Sequence, residues 1–127
     1  MNYSVILTPD FQKDAKKLLK KYPSLKAELG SLLEQLEENP EFGTLLMDNV
    51  YKVRLAIKSK NKGKSGGART IHFVYKASSF EGTNKVYLLT IYDKSEFDSV
   101  SDSSLKSIVE SIQIEATDDG IPSQEEE

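Results

Sequence analysis

Positive charge is concentrated in one stretch of this chain, between Lys52 and Arg69, which contains no acidic residue. The nearest acids on either side are Asp48 and Glu81. The seven cations of this stretch, here called the cationic segment, are Lys52, Arg54, Lys58, Lys60, Lys62, Lys64 and Arg69. Because the whole chain has a formal net charge of -3, this concentration is local. It predicts a polyanionic ligand, most simply a nucleic-acid backbone.

The net charge also differs between the body of the chain and its C-terminal end. All 17 Lys and Arg residues lie before residue 107, whereas six of the 20 acids lie after residue 113. We therefore predict a folded, mildly basic domain over residues 1–113 and an acidic tail over 114–127, disordered from about residue 116. A further hypothesis is that this tail folds back onto the cationic segment as an internal mimic of a nucleic acid.

Composition excludes several classes of protein. A length of 127 residues predicts a single domain. The sequence has no long apolar run and no basic N-terminal segment, so we expect neither a membrane span nor a signal peptide, and a cytoplasmic location. Cysteine is absent and His72 is the only histidine, which excludes disulfides and a metal cluster built on thiolates or several histidines. We expect no metal and no other cofactor.

The elements that must position the cations follow from the periodicity of apolar residues. Residues 3–7 predict a strand, and Thr8-Pro9-Asp10 is typical of a helix start. Two helical stripes follow, separated by Pro23-Ser24, and the second ends at Asn39-Pro40. Because the connection is so short, these two helices are expected to form an antiparallel hairpin.

From Val50 the period changes to two, which predicts a strand through Lys58. Its alternation places Lys52, Arg54 and Lys58 on one face and apolar residues on the other. Residues 59–67 predict a loop, 68–76 and 85–93 two further strands, and 101–103 the start of a last helix. The predicted order is β-α-α-β-β-β-α, an α+β fold with the helical hairpin packed on a mainly antiparallel sheet.

Three stretches together resemble the RelE/ParE superfamily of type II toxins, most closely its HigB-like branch. They are the strand over 50–56, the loop and strand over 62–75 (Lys-Gly-Lys-Ser-Gly-Gly-Ala-Arg, then Thr-Ile-His-Phe-Val-Tyr), and the segment 86–96 (Val-Tyr-Leu-Leu-Thr-Ile-Tyr-Asp-Lys-Ser-Glu). The resemblance covers roughly residues 3–113 and implies a RelE-like fold.

The resemblance also implies an activity and partners. Such toxins are ribosome-dependent endoribonucleases that cut mRNA without a metal, by attack of a 2′-hydroxyl on the adjacent phosphate. The implied partners are the ribosome, mRNA and a cognate antitoxin, expected here to be a HigA-like helix-turn-helix protein. Two alternatives stay open: a ParE-like inhibitor of DNA gyrase that cuts no RNA, and an inactive nucleic-acid-binding relative.

The implied reaction needs a proton acceptor, a proton donor and positive charge around the transition state. Arg54 and Arg69, the only arginines, are expected to bind the phosphate through their planar forks. With one histidine and no carboxylate pair, proton transfer falls to lysine or tyrosine. The candidates for catalysis beside the arginines are Lys58, Tyr92 and Lys94, with Lys64 as a further candidate for proton transfer; those for RNA binding are Lys52, Lys60, Lys62 and Lys64.

His72 is not among the predicted catalytic residues. In a regular strand it points away from the face that Arg69 uses, so a structural or exposed position is expected.

Overall fold

The computed structural model describes residues 3–60, 67–76, 84–94 and 100–118, with only the backbone described at Lys60 and over 114–118. The elements, in chain order, are β1 (Ser4–Leu7), α1 (Pro9–Lys21), α2 (Leu25–Glu38), β2 (Thr44–Met47), β3 (Val50–Leu55), a 3₁₀ turn (Lys58–Lys60), β4 (Ala68–Tyr75), β5 (Lys85–Asp93) and α3 (Asp102–Asp118). This is an α+β fold, as predicted.

The strands form one five-stranded sheet in the order β1-β5-β4-β3-β2. The pairs β2–β3, β3–β4 and β4–β5 are antiparallel, and β1 pairs with β5 in parallel. The predicted antiparallel meander of the last three strands is therefore confirmed. β2 was missed: it is a four-residue edge strand, joined to β3 by a two-residue turn in which Asn49 has a φ of 63°.

Helices cover both faces of the sheet. On one face, α1 and α2 bury an apolar cluster against the strands, with Phe11 from α1, Leu32 from α2 and Leu88 from β5 among its members. On the other face, α3 buries a second cluster that includes Leu105 and Ile112. A helix on each face explains why β4 lacks polar alternation: both of its sides are buried.

The local signals for α1 act as predicted. Thr8 is the N-cap, and its Oγ1 accepts a hydrogen bond from the backbone N–H of Phe11 at 3.2 Å. The same Oγ1 donates to the carbonyl of Leu88 at 2.8 Å, so the cap also ties the helix start to β5. None of the helices in the described residues has the length and hydropathy needed to cross a membrane.

Three sequence expectations are corrected. β3 ends at Leu55, so the predicted strand does not reach Lys58, which lies instead in the 3₁₀ turn. The predicted order of elements lacks one strand, β2, which lies between α2 and β3. α3 continues to Asp118, so the last helix runs into the segment that was expected to be a tail. The domain boundary at residue 113 and the folding-back of the tail stay predictions, because 119–127 lies outside the described residues.

His72 is fully buried in β4, on the α1–α2 side of the sheet, and its ring stacks on Tyr51 with 5.5 Å between centroids. Its Nε2 lies 2.6 Å from the carbonyl oxygen of Pro40. Because a carbonyl only accepts, Nε2 carries the proton, and Nδ1 has no hydrogen-bond partner among the described residues. Burial lowers the pKa of His72 below its usual value of 6.5, partly opposed by the hydrogen bond to Pro40. The predicted structural position is confirmed.

This burial predicts a pH dependence of stability. Below about pH 6.5 the unfolded chain takes up a proton on His72 that the folded chain resists, so the free energy of unfolding should fall as pH decreases toward the lowered folded pKa. Urea unfolding between about pH 5 and pH 7 measures this. His72→Gln keeps an N–H donor for Pro40 but cannot be protonated, so its stability should vary less with pH. Equal pH dependence in both proteins would contradict the assignment.

Candidate functional site

The register of three strands brings together the two arginines and Tyr92. Arg54 on β3 lies directly across from Arg69 on β4, and Arg69 lies directly across from Tyr92 on β5. Directly opposed residues share a face and have Cβ atoms about 5 Å apart. The three side chains therefore form one lateral row, here called the arginine row, on the face of the sheet that α3 partly covers.

The members of the arginine row differ in exposure. Arg54 is exposed, and it makes no hydrogen bond or ion pair with any described residue. Arg69 is only 4% exposed, and its Nη1 donates to the carbonyl of Ala68 at 3.1 Å. Tyr92 is 6% exposed and packs in the same cluster as Leu105 of α3. An incoming anion therefore meets Arg54 first, with Arg69 beneath the surface beside it.

Two arginines at directly opposed positions of neighbouring strands are an unusual cross-strand pair. A sheet that keeps such a pair departs from the usual cross-strand chemistry, and departures of this kind concentrate at functional sites. Guanidinium groups are planar donors that match the oxygens of phosphate and carboxylate groups. The arginine row therefore has the chemistry of a site for a phosphate or a carboxylate.

The lysines of the cationic segment are distributed less simply. Lys52 is half-buried two residues before Arg54 on β3, and alternation places it on the same face. Lys58 is exposed in the 3₁₀ turn, where its backbone N–H donates to Oε2 of Glu28 at 2.8 Å. This turn is tied to the start of α2, so Lys58 does not continue the face of Arg54 as predicted. Lys60 has only its backbone described, and Lys62 and Lys64 lie outside the described residues.

Lys94 directly follows β5 and is half-exposed. Its backbone N–H donates to the carbonyl of Gly67 at 3.0 Å, which adds one more rung beyond the pair of Ala68 and Asp93. A Cβ on Gly67 would overlap the carbonyl oxygen of Leu55, so only glycine fits where the chain enters β4. These contacts place Lys94 two residues beyond Tyr92, at the end of the sheet that carries the arginine row.

A buried hydrogen bond that the sequence did not predict supports this end of the sheet. The hydroxyl of Tyr22, the C-cap residue of α1, donates to Oδ2 of Asp93 at 2.8 Å. Asp93 is 1% exposed and lies on the opposite face from its neighbour Tyr92. The only sequence signal was an acid at the end of a mostly apolar strand. The bond fixes the end of α1 against the strand that positions Tyr92.

A groove on the described part of the chain lies away from the arginine row. It has a volume of about 530 Å³ and lies between α3 and the turn that joins β2 to β3. Its lining includes Val50, Phe73 and Val109, and none of the predicted site residues. Val50 and Arg54 are four residues apart on one strand, roughly 13 Å. The groove and the arginine row are therefore separate features of the same sheet face.

No protein-family model matches this chain. Among solved structures, its fold is similar to that of the E. coli toxin RelE in the free state, solved as a mutant with two arginines replaced by alanine. The TM-score is 0.50 at 16% sequence identity, and the similarity covers 77% of this chain and 90% of that chain. The fold is RelE-like. The resemblance seen in the sequence is thus supported at the level of the fold, while the HigB-like branch stays a prediction.

The RelE-like sheet should depend on the buried bond between Tyr22 and Asp93. Tyr22→Phe removes one donor to a buried carboxylate, and we expect the free energy of unfolding to fall by about 1–3 kcal/mol. Chemical denaturation measures the change. Tyr51→Phe, at a half-buried tyrosine on β3, is the matched control and should cost less. An unchanged unfolding midpoint in Tyr22→Phe would show that the bond contributes no net stability.

Proposed function

We propose that this chain is the toxin of a type II toxin–antitoxin system and an endoribonuclease that cuts mRNA on the ribosome. The observation that carries the proposal is the arginine row, in which Arg54, Arg69 and Tyr92 lie side by side on one face of a RelE-like sheet. A phosphodiester is the ligand that best suits two adjacent guanidinium groups next to a phenol.

In the proposed reaction, the 2′-oxygen of one nucleotide attacks the adjacent phosphorus, and the 5′-oxygen of the next nucleotide leaves. Arg54, being exposed, binds non-bridging oxygens directly. Arg69 adds positive charge from below, where burial weakens screening by solvent. One group must accept the proton of the 2′-hydroxyl and another must protonate the leaving oxygen. Tyr92 and Lys94 are the candidates for these two roles, whereas Lys58, also expected from the sequence, lies off the face of Arg54 in the 3₁₀ turn.

Lys52, Lys60, Lys62 and Lys64 are proposed to hold the RNA backbone on either side of the cut. The cognate antitoxin is proposed to cover the same cations with acidic residues, and a HigA-like helix-turn-helix protein fits this role. Contacts of this kind depend on charge, so binding should weaken steeply as salt increases.

Replacing Arg54 tests the proposal most directly, because its exposed side chain can be removed without opening a cavity. Arg54→Ala should lower the rate of cleavage of ribosome-bound mRNA by about 10²–10³-fold, the usual effect of losing one group that stabilises the transition state. Arg54→Lys keeps the charge but loses the planar fork of donors, so its cleavage rate should lie between those of the parent and Arg54→Ala. Lys26→Ala, at an exposed lysine on α2, is the matched control and should leave the rate unchanged.

The readouts are growth after induction and mapping of mRNA ends on ribosomes. Full toxicity and cleavage by Arg54→Ala would contradict the site. Arrested growth with intact mRNA and inhibited DNA gyrase would establish the ParE-like alternative. A parent protein that neither arrests growth nor cuts mRNA would indicate an inactive nucleic-acid-binding relative.

A further inference from the structure

A second set of cations lies on α1, outside the cationic segment. The helix buries Phe11, Ala15 and Leu18 against the sheet. Its opposite side carries five exposed lysines, here called the α1 lysine face: Lys13, Lys16, Lys17, Lys20 and Lys21. These residues recur at intervals of three and four, so they line one side of the helix.

Four of these five charges are not neutralised by any described residue. Lys13, Lys16, Lys17 and Lys20 have no hydrogen-bond or ion-pair partner among the described residues. The neighbouring helix α2 contains four glutamates, yet none of them reaches these lysines. A solvent-facing side of a helix that carries only cations repels itself, so an external polyanion would relieve it.

The two acids of α1 do not offset the lysines at the surface. Asp10 lies in the first turn, where the helix dipole favours a negative charge. Asp14 is half-buried and accepts a hydrogen bond from Thr90 of β5 at 2.9 Å. Both acids therefore lie away from the C-terminal half of the helix, where four of the five lysines are found.

The α1 lysine face is held rigidly relative to the sheet. Hydrogen bonds tie α1 to β5 at three points along its length, through Thr8, Asp14 and Tyr22. Each step of four residues advances about 6 Å along the helix axis. The lysine side chains therefore leave a fixed support at regular intervals, which suits the regular charges of a nucleic-acid backbone.

The α1 lysine face and the arginine row lie on opposite sides of the sheet, since α1 packs on the face away from α3. One short strand of RNA entering the arginine row would not also lie along α1. We propose that the α1 lysine face binds the phosphate backbone of a folded RNA, separate from the strand that is cut. This inference rests on the proposed function, and such a contact would dock the enzyme on a structured RNA that presents the mRNA.

Binding of a labelled RNA hairpin by fluorescence anisotropy, over a series of salt concentrations, tests this surface. Substituting Lys13, Lys16, Lys17 and Lys20 with glutamine keeps the helix propensity and removes four charges. We expect the affinity at low salt to fall at least tenfold, and the slope of log Kd against log salt to decrease by about 3. Far-ultraviolet circular dichroism and thermal unfolding should match the parent.

Two double variants test whether hairpin binding depends on the α1 lysine face or only on the net charge of the protein. Lys16→Gln with Lys20→Gln removes two lysines of the face, while Lys26→Gln with Lys106→Gln removes two exposed lysines of α2 and α3. Only the first pair should weaken hairpin binding. Equal losses of hairpin affinity in the two double variants would overturn the inference. A poly-glutamate peptide that binds the parent as tightly as the hairpin does would also overturn it, because that result would identify an acidic protein as the ligand.

Arg54→Ala separates this inference from the proposed function. It should lose cleavage, whereas Lys16→Gln with Lys20→Gln should weaken hairpin binding by the same factor in Arg54→Ala as in the parent. Hairpin binding that depends on α1, together with cleavage that does not depend on Arg54, would refute the proposed function alone. Cleavage that depends on Arg54, together with hairpin binding indifferent to the lysines, would refute the α1 lysine face alone.

Discussion

The antiparallel register of β3, β4 and β5 is the constraint on which the candidate site depends. A slip of one residue between two strands would turn Arg54 or Tyr92 to the opposite face and dismantle the arginine row. Several contacts oppose such a slip. The turn at Asn49 takes a left-handed conformation, and its carbonyl accepts from the N–H of Val74 at 2.8 Å. Packing adds to this, because a slip would exchange the side chains of the two buried faces and destroy their fit against α1, α2 and α3.

The arginine row lowers the stability of the fold, and contacts around the row compensate for this. The guanidinium of Arg69 is buried, and its desolvation lowers stability where the row lies. The surrounding contacts offset this: Tyr22 bonds to Asp93 behind Tyr92, and Lys94 adds a rung to Gly67. The site thus resembles a strained feature held by a well-packed scaffold, which is the general pattern of functional sites.

How much could be predicted from sequence depended on whether a signal was local. The positions of β4 and β5, the cap at Thr8 and the direction of His72 away from the face of Arg69 follow from alternation and capping, and they are confirmed. β2 was missed because it is short and mostly exposed at a sheet edge, where little burial shapes its sequence. The exposure of Arg69 could not be predicted, since it depends on distant elements. Nor could the pairing of Asp93 with Tyr22, which are 71 residues apart.

The difference in exposure between the two arginines implies different contributions to the proposed reaction. An exposed guanidinium contributes by contact: it forms two hydrogen bonds with a phosphate, but water competes for both. A buried one contributes mainly through its field, which is screened less because water is excluded around it. Charge that develops on the phosphate during the reaction would therefore be felt by Arg69 even without a direct bond. Because the register fixes the two side by side, contact from one and field from the other would act on the same phosphate.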